Sequence, residues 1–102
     1  MTRNFNTPSR GGLLSPATAE VRYERLFITD LRQIMPLRIR DRIQDFVFTE
    51  FYAVKHLQHL EDFRSMAMSQ IFYRFTVAEY LISIEVTGEI IKFVRVLPKP
   101  LI

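Results

Sequence analysis

The sequence predicts one α+β domain: an N-terminal strand, two helices, then a three-stranded antiparallel meander, with the helices packed on one face of the sheet. Three observations predict it. The last third alternates polar and apolar residues around a Thr-Gly pair, as paired strands do. The middle carries an apolar stripe at helical spacing that begins at a proline. A chain of 102 residues, 48% hydrophobic and 25% charged, suffices for one core rather than two.

Residues 1–19, MTRNFNTPSRGGLLSPATA, hold two of the five prolines and two of the three glycines and show no periodicity. They read as a flexible tail before a domain spanning 20–102. The functional alternative is an arm that orders on a partner through Leu13 and Leu14. Residues 20–27, EVRYERLF, alternate charged with apolar or aromatic residues and predict the first strand. ITDLRQIM then reads as a short helix, with Phe27, Leu31 and Ile34 on one face at spacings of four and three. Pro36 cannot continue that helix but suits the first turn of another. In PLRIRDRIQDFVFTEFY, Ile39, Ile43, Phe46 and Val47 form the buried stripe. Residues 53–70 admit two readings, a longer helix or a connector packing Leu57, Leu60 and Phe63 on the sheet.

In the last third, Ile71, Tyr73, Phe75 and Val77 point one way, and Phe72, Arg74 and Thr76 the other. A tight bend at Ala78-Glu79 leads to a strand whose Tyr80, Ile82, Ile84 and Val86 share a face. Thr87-Gly88 reads as a hairpin loop, because glycine tolerates positive φ. The expected register sets Val86 opposite Glu89, Ile84 opposite Ile91, Ile82 opposite Phe93 and Tyr80 opposite Arg95. The other face, including Arg74, Ser83, Glu85 and Lys92, is left open.

Composition narrows the chemistry. Without cysteine there is no disulfide, thiolate metal site or thiol nucleophile. The net charge of +3 permits an anionic partner without requiring one. No apolar run approaches the roughly 18 residues of a membrane span, and the N-terminus lacks the apolar stretch of a secretory signal, so the expected location is the cytoplasm. His56 and His59 are three apart, but no third ligand joins them, so no metal or other cofactor is expected. Arg38, Arg40 and Arg42 diverge around their helix, with Asp41 and Asp45 between them, and read as a solvated face. Met66 and Met68 read as loop packing, and Arg95 as structural, reaching an edge from the apolar side.

Several strings resemble the RelE/ParE superfamily, the toxin half of bacterial toxin–antitoxin pairs. VRYERLFITDLRQI is similar to the family opening. FYRFTVAEYLISIEVTGEIIKFVRVL resembles its Tyr-Arg strand, a bend ending in tyrosine, an apolar strand with an acidic residue, and a last strand ending in Arg-Val. The Ile-Glu-Val-x-Gly hairpin is similar to that of cyanobacterial members. The resemblance covers about residues 20–99. It implies a toxin that either cleaves mRNA at the ribosome without a metal or blocks DNA gyrase, and that a cognate antitoxin silences. Cleaving members place cations on the open sheet face, which selectively stabilise the charge that grows as a 2′-hydroxyl attacks the phosphate. Carried over by position, the resemblance makes Arg74 the phosphate ligand and lets Lys99 replace one cation after the last strand; Lys92, a basic residue on the open face, reads either as a further electrostatic helper or as a cross-strand partner of Glu85. Thr76 and Leu81 stand where the family has a basic residue and an arginine, and no tyrosine follows Lys99. That departure implies reduced activity, or the alternative of a non-catalytic protein- or ribosome-binding module on the same fold.

Overall fold

The computed structural model describes residues 14–100. Its elements are β1 (Glu20–Tyr23), α1 (Arg25–Arg32), α2 (Leu37–Phe48), β2 (Arg64–Ser65), β3 (Phe72–Val77), β4 (Tyr80–Thr87) and β5 (Ile90–Pro98). The five strands form one sheet in the order β1-β5-β4-β3-β2. β1 runs parallel to β5, and the other pairs are antiparallel. Within the expected α+β order, β2 is an addition: a two-residue strand at the far edge, pairing Arg64 with Arg74 and Ser65 with Tyr73.

The helices cover one face, as the sheet's apolar side requires. Phe27, Leu31 and Ile34 are buried from α1 and the turn after it, and Ile43 and Val47 from α2. They meet Phe75, Ile82, Ile84, Ile91, Phe93 and Val96 of the sheet. The expected second helix reaches Tyr52, but α2 stops at Phe48 and a 3-10 turn, Glu50–Ala53, follows. A continued α-helix carries Glu50 onto the buried stripe, one turn beyond Phe46. The break at Thr49 leaves Glu50 exposed and still buries Phe51 completely. Residues 54–63 take the connector form: Leu57 is buried, and Leu60 and Phe63 pack against the core.

Of the segment read as a tail, residues 1–13 lie outside the described residues, and Leu13 with them. Leu14 packs against the core, Pro16 is fully buried, and the Thr18 N–H donates to the Ser15 carbonyl at 3.0 Å. Leu101 and Ile102 also lie outside.

The β4–β5 register corrects the expected one. Val86 pairs with Ile91 and Ile84 with Phe93. The loop is Gly88-Glu89 rather than Thr87-Gly88, because Gly88, at φ 56, takes the first loop position, where a primed hairpin turn needs positive φ. That two-residue shift preserves the faces. A bulge between Ser83 and Ile84 then reverses them: Arg95 falls opposite Ser83 instead of Tyr80, and Val96 enters the core beside Ile82. The extra residue of a bulge leaves no trace in apolar alternation. At the β3–β4 bend, Ala78 and Glu79 both have positive φ, at 50 and 67. Glu79 is exposed. Glu79→Gly is expected to stabilise the fold by about 0.5–1 kcal/mol, read as a higher urea midpoint at unchanged slope.

Candidate functional site

The uncovered face is built in rows across the strands. One row runs Arg64, Arg74, Ser83 and Arg95; the next runs Thr76, Leu81 and Leu97; a third runs Phe72, Glu85 and Lys92. Alternation along β3 puts Arg74 and Thr76 on this face while Phe75 goes to the core. Arg64 directly opposite Arg74 is a like-charge pair, which destabilises a sheet unless something anionic sits over it. Neither guanidinium has an ion-pair partner among the described residues.

A cavity of about 250 Å³ opens beside that pair, lined by Asp62, Arg64, Arg74, Thr76, Leu81, Lys99 and Pro100. Three cations thus share a space with one carboxylate, Asp62, which lies 3.5 Å from the Lys99 ammonium. Lys99 is fastened by its backbone N–H, which donates to the Glu79 carbonyl at 3.0 Å. Thr76 is only 3% exposed, and its hydroxyl has no partner among the described residues. A second cavity of about 190 Å³ adjoins the first and shares Arg74, Leu81 and Pro100 with it; Met66, Ser83, Arg95, Leu97 and Pro98 complete its wall.

Arg74 and Lys99, two of the three site residues read from the sequence, therefore meet in one cavity. Lys92 stands apart from it, opposite Glu85 on β4 and 3.5 Å from the Glu24 carboxylate. Arg64 was missed. It sits in the segment whose periodicity supported two readings, and a two-residue strand is too short to show alternation. His56 and His59 lie edge to face at 5.1 Å. Among the described residues, no three His, Cys, Asp or Glu side chains group as metal ligands, and no helix is long and apolar enough to cross a membrane.

The rim of this face is braced from α1. Arg95 Nε donates to Asp30 Oδ2 at 2.6 Å, its Nη2 donates to Oδ1 at 3.0 Å, and the Val96 N–H donates to Oδ2 at 3.1 Å. The Arg95 fork is the main cause holding the Asp30 carboxyl below its ordinary value of 3.8; the Val96 N–H adds to it against partial burial. A depressed folded value means that the stabilisation is present above 3.8 and is lost as pH falls through the lower, folded value. Asp30→Ala also orphans the Val96 N–H, which alone costs about 1–3 kcal/mol. The expected result is lower stability at neutral pH and a flatter acid limb in urea titrations repeated from pH 6 to about pH 2. On the opposite side, the Tyr23 hydroxyl donates to the Val47 carbonyl at 2.6 Å and lies 2.8 Å from Tyr52 Oη. Burial, then the Tyr52 hydroxyl, push the Tyr23 phenol upward, so it stays a donor joining β1 to the end of α2.

A helix-backed sheet with an open face that collects cations defines a small α+β domain with a cationic surface. No protein-family model and no curated protein matches the chain. Among solved structures, it is similar to a chain of the RelB–RelE antitoxin–toxin complex from Methanococcus jannaschii, with 32% identity, a TM-score of 0.61, and 76% of this chain and 88% of that one covered. It also shares its fold with a chain of the RelBE2 toxin–antitoxin complex from Mycobacterium tuberculosis, with 15% identity, a TM-score of 0.61, and 80% and 99% covered. The chain belongs to the RelE/ParE superfamily of toxins.

Proposed function

We propose that this chain is the toxin of a type II toxin–antitoxin pair, silenced by a cognate antitoxin, and that its open face engages the mRNA backbone at the ribosome and cleaves it. The observation that carries this reading is the Arg64–Arg74 pair with Lys99 beside it, a cluster whose repulsion a phosphate relieves. In the reaction, the ribose 2′-hydroxyl gives its proton to water as its oxygen bonds to the adjacent phosphorus, the bond from phosphorus to the 5′-oxygen breaks, a 2′,3′-cyclic phosphate forms, and the departing 5′-oxygen takes a proton from water. The phosphoryl oxygens gain charge as the transition state forms, and cations already held in place stabilise it more than the ground state. Arg74 grips the phosphate; Arg64 and Lys99 neutralise it from either side. Leu81 removes one guanidinium from the family pattern, and the loss of one such donor costs on the order of a hundredfold in rate. Arg64 offers a guanidinium from the β2 side of the cavity, so cleavage persists at a reduced rate.

The second reading, a non-catalytic module, draws on Leu81 and Leu97 standing side by side on the same face. Expressing the chain alone in a bacterium separates the two. Growth arrest that Arg74→Ala relieves supports the toxin. Unimpaired growth, with the protein still bound to ribosomes, supports the module. Gyrase blockade predicts arrest with stalled replication and intact mRNA.

A further inference from the structure

The two adjoining cavities differ in chemistry. One is cationic and contains a buried hydroxyl without a partner among the described residues; the other is floored by Leu81 and Leu97 and walled by Met66, Arg95 and two prolines. Arg74 stands at their boundary. We infer that together they form a ribonucleotide site, with the phosphate among Arg64, Arg74 and Lys99 and its neighbouring base on the leucine floor. The inference rests on reading the open face as an RNA-binding surface, and it assigns which residues take which part of the nucleotide.

The buried Thr76 hydroxyl carries the first half. A polar atom this deep is nearly always hydrogen-bonded in a folded protein, and here the group that completes it is an oxygen in the cavity. Its O–H donates to the phosphate or to the attacking ribose oxygen. A residue that departs from the basic family pattern thereby becomes a neutral ligand in a pocket already rich in charge. The apolar half has a planar base as its occupant, because the anchor beside it is a phosphate cradle and a base carries the apolar faces such a floor buries. Ser83 lines that half, and among the described residues its hydroxyl makes one long bond, 3.5 Å to the Arg95 carbonyl. It is placed to address a polar base edge. Leucine at position 81 thus exchanges a phosphate contact for a base contact, and the exchange makes base preference a property of Leu81, Leu97 and Ser83.

The test is calorimetric titration of the full chain with adenosine 3′-monophosphate, adenosine and inorganic phosphate at low salt. The nucleotide is expected to bind at least tenfold tighter than either part. Leu97→Ser should reduce the nucleotide to the affinity of phosphate while phosphate binding stays the same; Leu97 does not line the cationic cavity and is already 44% exposed. Thr76→Val is close to isosteric and should weaken both nucleotide and phosphate about tenfold or more without lowering thermal stability. A merely structural threonine would leave binding unchanged, and that result overturns its assignment. A nucleotide that binds no tighter than phosphate overturns the base half. Growth arrest with no nucleotide binding defeats this inference alone, whereas nucleotide binding without growth arrest defeats the toxin reading alone.

Discussion

Phe51→Ala is expected to destabilise the domain by about 3–5 kcal/mol. The side chain is fully buried in a single 3-10 turn and meets Phe93 edge-on at 4.9 Å, Phe75 stacked at 6.3 Å and Phe46 at 6.2 Å. It is the point where the end of α2, the connector and the middle of the sheet share one contact. Truncation leaves a cavity among rings that belong to three elements, and such rings cannot all move inward at once, so the transfer loss and the void add. Small domains have a total of about 5–15 kcal/mol. The loss therefore takes a large fraction of it and lowers the melting temperature by tens of degrees. Phe48→Ala provides the contrast. That ring is 41% exposed, with Tyr23 at 4.8 Å, and its loss should cost far less. Urea denaturation of both variants measures the difference. Equal losses would mean that the 3-10 turn does not seat Phe51 in the core.

Phe51 also shows where the sequence was legible and where it was not. The stripe of Ile39, Ile43, Phe46 and Val47 named α2 correctly, because a helix repeats its geometry every turn and several residues report one direction. Its end was invisible: Phe51 continues the i+4 series from Val47, and only the core tells the chain to break at Thr49. Strand faces were equally legible up to Phe93. Beyond it, one bulged residue inverted the pattern and moved Arg95 and Val96, since alternation carries direction but no absolute register. That Arg74 and Lys99 would lie on or beside the open face was readable because the resemblance marked their positions, and both line one cavity. Arg64 and the buried hydroxyl of Thr76 were not, because each depends on a neighbour brought from elsewhere in the chain: Arg64 matters through its pairing with Arg74, and Thr76 through the cavity that closes over it.

Arg74→Ala is expected to slow ribosome-dependent mRNA cleavage by about a hundred- to a thousandfold. Arg74 borders both halves of the site, and no other described cation does so: Arg64 and Lys99 line only the first, and Arg95, whose fork is held by Asp30, lines only the second. Its removal therefore cannot be covered by a neighbour. Arg74→Lys restores the charge but not the planar two-pronged grip, and should recover only part of the rate. Lys92→Ala should change the rate by no more than a few-fold, since Lys92 lies outside the cationic cavity and faces Glu24 and Glu85. Stability moves the opposite way from activity: deleting Arg74 removes its repulsion with Arg64, so the inactive variant should melt no lower than the parent. That opposition separates a functional arginine from a structural one. Initial cleavage rates on programmed ribosomes, set beside melting curves of the same preparations, test both signs together. An Arg74→Ala protein that cleaves at the parental rate would remove Arg74 from the chemistry. One that loses activity only by unfolding would show that the guanidinium pair supports the sheet rather than awaiting a phosphate.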